Sequence, residues 1–424
     1  MAPNQSRYYT TLLWGLLLFG LSLPLSKSAG NVLLFLIYPA TLALIWYDRD
    51  FRASLIQSVR QPLIAPLLLF YCLALLGVLY TENYTDGFHI ANKFSSLPAI
   101  YFMVAILLQA NRDEEARELF AEYLLFSLLI GLFVLNAIAA MTYLGAIGHK
   151  KYMLPLAPLN VHHIWFSNLN AIGLYVSASF LLFSPRGRKR WIQICLIAGM
   201  AIGLLCILLS ISRTAWFGTL FTALIMTYVV MKKKKIYFAV LAAAAAGSVL
   251  LYLFNPIVHG RIDQIVSDIT RFFAGDSETS LGQRFIMWEA TIRMFLSNPL
   301  FGVGTGDYNA VIAQYVAAGQ LPDFVLEFNQ PHNMYLFTLA TNGLLGLGAL
   351  LYLFYRGLRF ALPRAAAEGR DRFFAFVALA TIVHFMIAGL TDSFFNIQML
   401  RYTFAFVMGV TVREFSKGRS KAER

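Results

Sequence analysis

Two arginine positions stand out in an otherwise apolar chain. Arg213 lies where two apolar segments meet with almost no loop between them. A guanidinium group at such a place is costly unless an anion or a water-filled cavity receives it. Arg284 and Trp288 are four residues apart and therefore share one helix face, and the guanidinium fork matches phosphate oxygens. The pattern indicates an anion site, with snorkelling of Arg213 and a simple cation–π contact to Trp288 as alternatives.

His332 is the best candidate for a general base. Imidazole is the side chain that ordinarily titrates near neutrality, and Gln330 and Asn333 supply polar neighbours. A second pair, His162 and His163, would suggest zinc. Adjacent histidines rarely bind one ion, however, and no carboxylate lies at ligand spacing. We therefore predict no metal and no cofactor, and an acceptor-binding or structural role for His163.

Two further motifs have competing interpretations. Asp392 ends an apolar segment, where it would orient an arginine or the histidine, or would cap a helix as a turn residue. The glycine-rich segment 302–306 looks like a phosphate loop, but no strand precedes it and no lysine follows at the required spacing. We predict a flexible turn that joins two helices there.

The elements that position these residues are membrane-spanning helices. The chain has 424 residues, of which 58% are hydrophobic and only 13% charged, whereas soluble domains have about 25% charged residues. Apolar blocks of about twenty residues cross a bilayer as helices. The sequence predicts an all-α polytopic protein with about twelve spans, near 8–26, 30–47, 62–80, 88–109, 118–145, 164–184, 191–211, 214–231, 236–254, 333–355, 372–391 and 395–412.

The distribution of charge predicts the topology. Most of the 34 Lys and Arg residues fall on alternate connections between spans, as expected for the cytoplasmic side. Both termini are therefore predicted to be cytoplasmic, and the net charge of +12 does not indicate nucleic-acid binding. The other basic residues lie outside or within the spans, among them Lys27, Lys93, Arg261 and Arg401.

The long outer segment divides the chain. We predict spans one to nine over residues 1–254, a helical periplasmic loop over 255–332, spans ten to twelve over 333–412 and a basic cytoplasmic tail over 413–424. Apolar residues of the loop recur at helical spacing, which predicts a surface-lying amphipathic helix over 262–273. Two more helices are predicted over 281–297 and 307–318.

These motifs together resemble the superfamily of O-antigen ligases and Wzy-type polymerases, over roughly residues 160–400. The elements that carry the resemblance are the S-I-S-R stretch ending at Arg213, the helix with Arg284 and Trp288, the N-P-L-F-G-V-G stretch at 298–304 and the Q-P-H-N-M-Y-L stretch at 330–336. Arg213 and Arg284 match the family's pyrophosphate-binding arginines and His332 matches its essential histidine. Asp392 matches an acidic position.

The resemblance implies a GT-C-like, lipid-donor glycosyltransferase in the bacterial inner membrane. Such an enzyme would transfer a glycan from undecaprenyl pyrophosphate to lipid A–core oligosaccharide on the periplasmic face. It would invert the linkage and need no metal. His163, Asn333 and Trp288 are supporting or acceptor-binding candidates.

Three alternatives stay open. A polymerase of the same superfamily would join lipid-linked repeats, but polymerases often have two substantial outer loops. A protein O-oligosaccharyltransferase shares the loop motifs. A flippase or transporter should carry intramembrane charges in several helices, whereas Lys93 and Arg401 are the basic residues placed well inside spans.

Overall fold

The computed structural model describes residues 3–111, 113–146, 158–231, 233–369 and 371–413. Within these ranges the regular structure is helical, with no strand. The predicted basic tail beyond Arg413 lies outside them. The α-helices of the described ranges are α1 (Pro3–Ser22), α2 (Lys27–Tyr47), α3 (Arg49–Val59), α4 (Ile64–Leu76), α5 (Tyr84–Gln109), α6 (Glu114–Tyr143), α7 (His163–Phe183), α8 (Arg190–Leu209), α9 (Arg213–Val230), α10 (Lys234–Phe254), α11 (Pro256–Phe273), α12 (Ser280–Ser297), α13 (Tyr308–Ala317), α14 (Met334–Ala366), α15 (Arg372–Ala388) and α16 (Gln398–Thr411).

Every predicted span falls on one of these helices. Eight described helices are long and apolar enough to cross a membrane, namely α2, α5, α6, α7, α8, α9, α10 and α14, and a bent pair formed by α3 and α4 would be a ninth. The other predicted spans fall on α1, which begins with a polar turn, and on α15 and α16, which have 17 and 14 residues. The multi-pass character is confirmed, and the number twelve stays a prediction.

Helix α3 is not among the predicted elements. Its axis meets that of α4 at 76°. The segment alternates charged residues such as Arg52 with apolar ones, so no apolar block marks it, and it is anchored by Phe51, which is fully buried. The two helices therefore form a bent pair and not one straight span.

A buried polar cluster joins three central helices. His384 of α15 lies 2.9 Å from the Asn168 carboxamide oxygen of α7 through Nε2 and 2.9 Å from the Tyr175 hydroxyl through Nδ1. Asn168 donates its own amide to the Ile164 carbonyl, so its oxygen accepts from His384. Gly218 of α9 packs directly on the imidazole. The outer ends of α7, α9 and α15 are therefore held at defined positions.

The three helices predicted in the long loop are present. Helix α11 begins six residues before its predicted start, whereas α12 and α13 agree with their predicted bounds to within one residue at each end. Helices α12 and α13 share a small apolar core with Met287, Met294, Tyr308 and Ile312. This core also contains Phe337 from the first turns of α14, which attaches the loop to the membrane domain.

The segment 302–306 is a turn that joins α12 to α13, as predicted. It is not a free connection, however, because it is docked in a break of α14 at Gly343, whose φ is +63°. Val303 and Gly304 donate their N–H groups to the carbonyls of Ala340 and Thr341, at 2.8 and 3.1 Å. The break in α14 leaves those carbonyls without their helical partners, and the segment supplies them.

Asp307 anchors the other end of the segment. Its buried carboxylate accepts hydrogen bonds from the Thr81 hydroxyl at 2.6 Å and from the N–H groups of Glu82 and Asn83 at 2.8 and 2.9 Å. The loop is therefore tied to the turn between α4 and α5. Its helices are held rigidly above the ends of the spanning helices.

Candidate functional site

The centre of the site is a histidine–carboxylate pair. His332 Nδ1 lies 3.3 Å from Asp392 Oδ1, and the Asp392 side chain is 2% exposed. The same oxygen accepts hydrogen bonds from the Ser393 N–H at 2.8 Å and from Gln330 Nε2 at 3.2 Å. The carboxylate is thus fixed in orientation, and it directs the Nε2 atom of His332 away from itself.

The backbone of His332 is held in a strained conformation. Its φ of +50° belongs to the left-handed region, which residues with a Cβ rarely adopt. The neighbours on both sides are fixed: Trp288 Nε1 donates to the Pro331 carbonyl at 2.9 Å, and the Met334 N–H donates to the Gly389 carbonyl at 2.8 Å. Strain of this kind persists where surrounding contacts enforce it, which is typical of functional sites.

Asn333 has a structural task beside His332. Its carboxamide oxygen accepts hydrogen bonds from the N–H groups of Tyr335 and Leu336, both at 3.0 Å, and so caps the start of α14. The cap determines where the helix begins, and with it the position of His332.

Arg213 approaches the pair from α9. Ser212 caps the helix, and the preceding residue, Ile211, has a φ of +59°. Arg213 Nη2 lies 3.7 Å from Asp268 Oδ2 and donates to Gln264 Oε1 at 3.3 Å. Its Nη1 atom is buried without a hydrogen bond to the protein. A buried guanidinium nitrogen of this kind is a ready donor to an anionic ligand.

Arg284 lies on α12, facing the same centre. It is half-buried and makes no hydrogen bond or ion pair with another residue of the described ranges. Burial lowers its pKa, the carboxylate of Asp392 opposes this shift, and repulsion from Arg213 adds to it. An arginine nevertheless stays protonated in proteins. Arg284 thus places a positive charge near both Asp392 and Arg213 without a hydrogen bond to either residue.

Arg261 is the site residue that the sequence analysis did not single out. It lies on α11, where its Nη1 donates to Gln264 Oε1 at 2.6 Å. Burial lowers its pKa, and the charge of Arg213 lowers it further, against an opposing effect of Asp268. Arg261, Gln264 and Asp268 are spaced i, i+3 and i+7, so they share one face of α11. This spacing is the feature of the sequence from which a role for Arg261 could have been predicted.

His163 and His162 border the site at the start of α7. Their rings are 4.3 Å apart, and His163 interacts electrostatically with Arg261 and Asp392. Burial lowers the pKa of His162, and the charges of Lys27 and His332 contribute to the lowering. No group of three potential metal ligands occurs in the part of the chain that the structure describes.

An apolar groove leads from the arginines into the membrane domain. It has a volume of about 430 Å³ and runs between α8, α9, α10 and α11. Arg213 and Arg261 lie on its wall together with Trp216, Leu220 and Ile265. The arrangement suits an amphiphilic ligand with an anionic head and a long apolar tail.

The structure places several of the predicted site residues near one another. His332 lies beside Asp392, and Arg284 interacts electrostatically with both Asp392 and Arg213. The supporting candidate Trp288 holds the backbone next to His332. Chemically, the arrangement can bind a multiply charged anion and withdraw a proton from a neighbouring hydroxyl group.

Comparison with known proteins finds a family model that matches part of the chain. The family model described as O-antigen ligase matches residues 198–351, which include Arg213, Arg284 and His332. An uncharacterised protein of Haemophilus influenzae is 32% identical over 97 residues, which are 23% of this chain and 24% of that protein. The chain therefore matches only about a quarter of that relative's length. Over residues 198–351 the chain is thus similar to the O-antigen ligase family, which supports the resemblance to the superfamily of O-antigen ligases and Wzy-type polymerases.

Proposed function

We propose that this protein is an O-antigen ligase. It would transfer a glycan from undecaprenyl pyrophosphate onto lipid A–core oligosaccharide at the periplasmic face of the bacterial inner membrane, with both termini in the cytoplasm. Superfamily members are ligases or polymerases that act on lipid-linked glycans. The proposal of a ligase with these substrates rests on the residues of the candidate site.

The His332–Asp392 pair and Arg284, which interacts electrostatically with both Asp392 and Arg213, carry the proposal. Arg284 has no protein partner among the described residues, and Arg213 has a buried nitrogen without one. A diphosphate leaving group develops negative charge as its bond to the sugar breaks. Cations already in place there stabilise the transition state, as a divalent metal does in other transferases. Arg213 and Arg284, with Arg261 beside them, would thus bind the donor diphosphate without a metal ion.

His332 would act as the general base. Asp392 would accept a hydrogen bond from the Nδ1–H group, which keeps the proton on Nδ1 and leaves Nε2 unprotonated and ready to accept the proton of an acceptor hydroxyl. The hydroxyl oxygen then forms a bond to the anomeric carbon while the bond from that carbon to the diphosphate oxygen breaks. The diphosphate departs with the electron pair and His332 retains the proton. Attack from the face opposite the leaving group inverts the anomeric configuration.

The groove beneath the arginines would receive the lipid part of the donor. A polyprenyl chain is apolar and long, and its diphosphate would lie at Arg213 and Arg261, where the groove begins. Such a GT-C-like arrangement lets the enzyme take its donor sideways from the membrane. Burial of the tail supplies binding energy in proportion to the apolar area covered.

The nearest alternatives use the same donor with another acceptor. A Wzy-type polymerase would join one lipid-linked repeat to another, and a protein O-oligosaccharyltransferase would modify a polypeptide. A flippase or transporter would need a substrate site near the middle of the membrane, whereas Arg213 is the first residue of α9 and Arg284 lies on a helix of the long loop.

One experiment tests the proposal against these alternatives. The purified protein is given one undecaprenyl-pyrophosphate-linked glycan together with lipid A–core, a second lipid-linked glycan or a pilin-like polypeptide. We expect glycan transfer to lipid A–core, in the presence of a chelator as well as in its absence. The R284A variant serves as the inactive control. Transfer to one of the other two acceptors alone would replace the ligase with the corresponding activity.

A further inference from the structure

We propose that the protein has a second binding site, which takes the phosphodiester headgroup of an anionic phospholipid, at the end of α14 remote from His332. A cavity of about 470 Å³ lies there, lined by Arg356, Arg359 and Arg364 together with two tyrosines and Pro62. Arg356 follows Met334 by 22 residues, which places the cavity about 30 Å from His332 along the helix. It is therefore on the other membrane face and separate from the glycan-transfer site.

The three arginines have neutral partners only. Arg356 donates to the Tyr352 hydroxyl at 2.8 Å and Arg359 to the Tyr355 hydroxyl at 3.3 Å. Arg364 donates to the carbonyl of Phe360 at 2.9 Å.

None of the three forms an ion pair with an acidic residue in the described ranges. Like charges on one helix repel one another. Each guanidinium still has donors beyond the one that its own helix uses. A phosphodiester would offset the repulsion and accept those hydrogen bonds.

The depth of the cavity favours a lipid over a soluble anion. Pro62 lies in the short connection between α3 and α4, which form a bent pair with an angle of 76°. The outer face of α3 exposes Ile56 and Val59, as expected of a helix resting on acyl chains. The cavity therefore lies at the level of lipid headgroups, where basic pockets between helices bind anionic lipids.

The rim of the cavity is also apolar towards the bilayer. Next to the arginines, α14 exposes Leu351, Tyr355 and Leu362. Acyl chains would lie on these side chains while the headgroup enters the cavity. Arginines that only determine the orientation of a membrane protein need to lie in cytoplasmic loops but need not lie close together. These three arginines, in contrast, line one cavity.

Thermal unfolding of the purified full-length chain in detergent tests the site. Phosphatidylglycerol, cardiolipin, phosphatidylcholine and the soluble headgroup glycerophosphoglycerol are each titrated. We expect a saturable rise of the unfolding midpoint with the two anionic lipids, because a ligand that binds the folded state stabilises it. The absence of such a rise would overturn the proposal. So would an equal effect of the soluble headgroup, because the site would then take a soluble anion.

A charge-matched pair of variants separates this cavity from general attraction to the same membrane face. The first combines R356Q, R359Q and R364Q. The second combines R188Q, K189Q and R190Q, which removes as many charges from the exposed connection after α7, on the same face. We expect affinity for phosphatidylglycerol to fall about tenfold or more in the first and to change less than about twofold in the second.

An equal loss in both triple variants would show diffuse electrostatic attraction and overturn the proposal. The single variants R356Q, R359Q and R364Q serve if the first triple variant does not fold. Each should weaken binding relative to R188Q, and equal affinities would overturn the proposal. Glycan transfer does not enter any of these measurements.

Discussion

The indole Nε1 of Trp288 donates a hydrogen bond of 2.9 Å to the carbonyl oxygen of Pro331. Trp288 lies one helical turn after Arg284 on α12, and Pro331 immediately precedes His332. One helix of the long loop thus carries an anion-binding candidate and also holds the backbone of the proposed base. Displacement of α12 would disturb both groups at once.

The first prediction concerns this hydrogen bond. In W288F the ring is retained but the donor is lost, so the strained backbone at His332 loses one of its restraints. We expect kcat for glycan transfer to fall about tenfold, because small misplacements of reacting groups are costly. The KM for the lipid donor should change less than about twofold. W191F, at an exposed tryptophan of α8, is the control, and an equal kcat in both variants would refute the positioning role.

The second prediction concerns Arg284 itself. Because its guanidinium has no partner among the described residues, R284A should leave the unfolding midpoint nearly unchanged. We expect transfer to fall about 10²–10³-fold, as when one preorganised donor to developing negative charge is removed. R293A on the same helix breaks only an exposed pair with Glu289 and should retain activity. Normal turnover in R284A would exclude the diphosphate-binding role.

The third prediction tests the carboxylate beside His332. In D392N the side chain can still accept the Ser393 N–H but no longer carries the charge that stabilises a protonated imidazole. We expect kcat to fall about 10²-fold or more, as in other histidine–carboxylate pairs. The control is D263N, at an exposed carboxylate on α11. If D392N and D263N have similar kcat values, His332 does not depend on this carboxylate.

The fourth prediction concerns the anchor of the long loop. D307A removes a buried carboxylate that accepts three hydrogen bonds from the turn between α4 and α5. We expect the free energy of unfolding to fall by about 2–4 kcal/mol, since the donors of that turn lose their acceptor. D323A changes an exposed aspartate of the same loop and should cost little. Equal unfolding midpoints for D307A and D323A would contradict the anchoring role.

The fifth prediction is a pH effect on stability. The pKa of His162 is lowered in the folded protein from its ordinary value of 6.5, chiefly by burial. The folded state therefore binds fewer protons than the unfolded state just below pH 6.5, and stability falls on acidification through that window. H162N removes this titration while keeping a capping side chain. Its unfolding midpoint should fall less between pH 7 and pH 5 than that of the wild type.

The control for this titration is H89N, at an exposed position of α5. It should follow the wild-type pH dependence of the midpoint. If the unfolding midpoint of H162N changes with pH as much as those of the wild type and H89N, His162 does not contribute to the pH dependence of stability.

The sequence by itself determined the helical, multi-pass class and the best site candidates. Hydropathy is a local property of about twenty residues, so α5, α6 and α7 follow from it directly. Arg213 and His332 are conspicuous for the same reason. Placing a charged or titratable group beside an apolar block costs free energy, and this cost can be recognised from the neighbouring residues in the sequence.

Only the tertiary structure decided which residues meet. His332 and Asp392 are 60 positions apart, and Arg213 reaches Gln264 and Asp268 only because α11 folds back onto the start of α9. The glycine-rich segment 302–306 has the composition of a free turn, yet it completes a break in α14. The segment is docked because the break in α14 leaves backbone carbonyl groups without hydrogen-bond partners. The local composition of the segment does not reveal these distant groups.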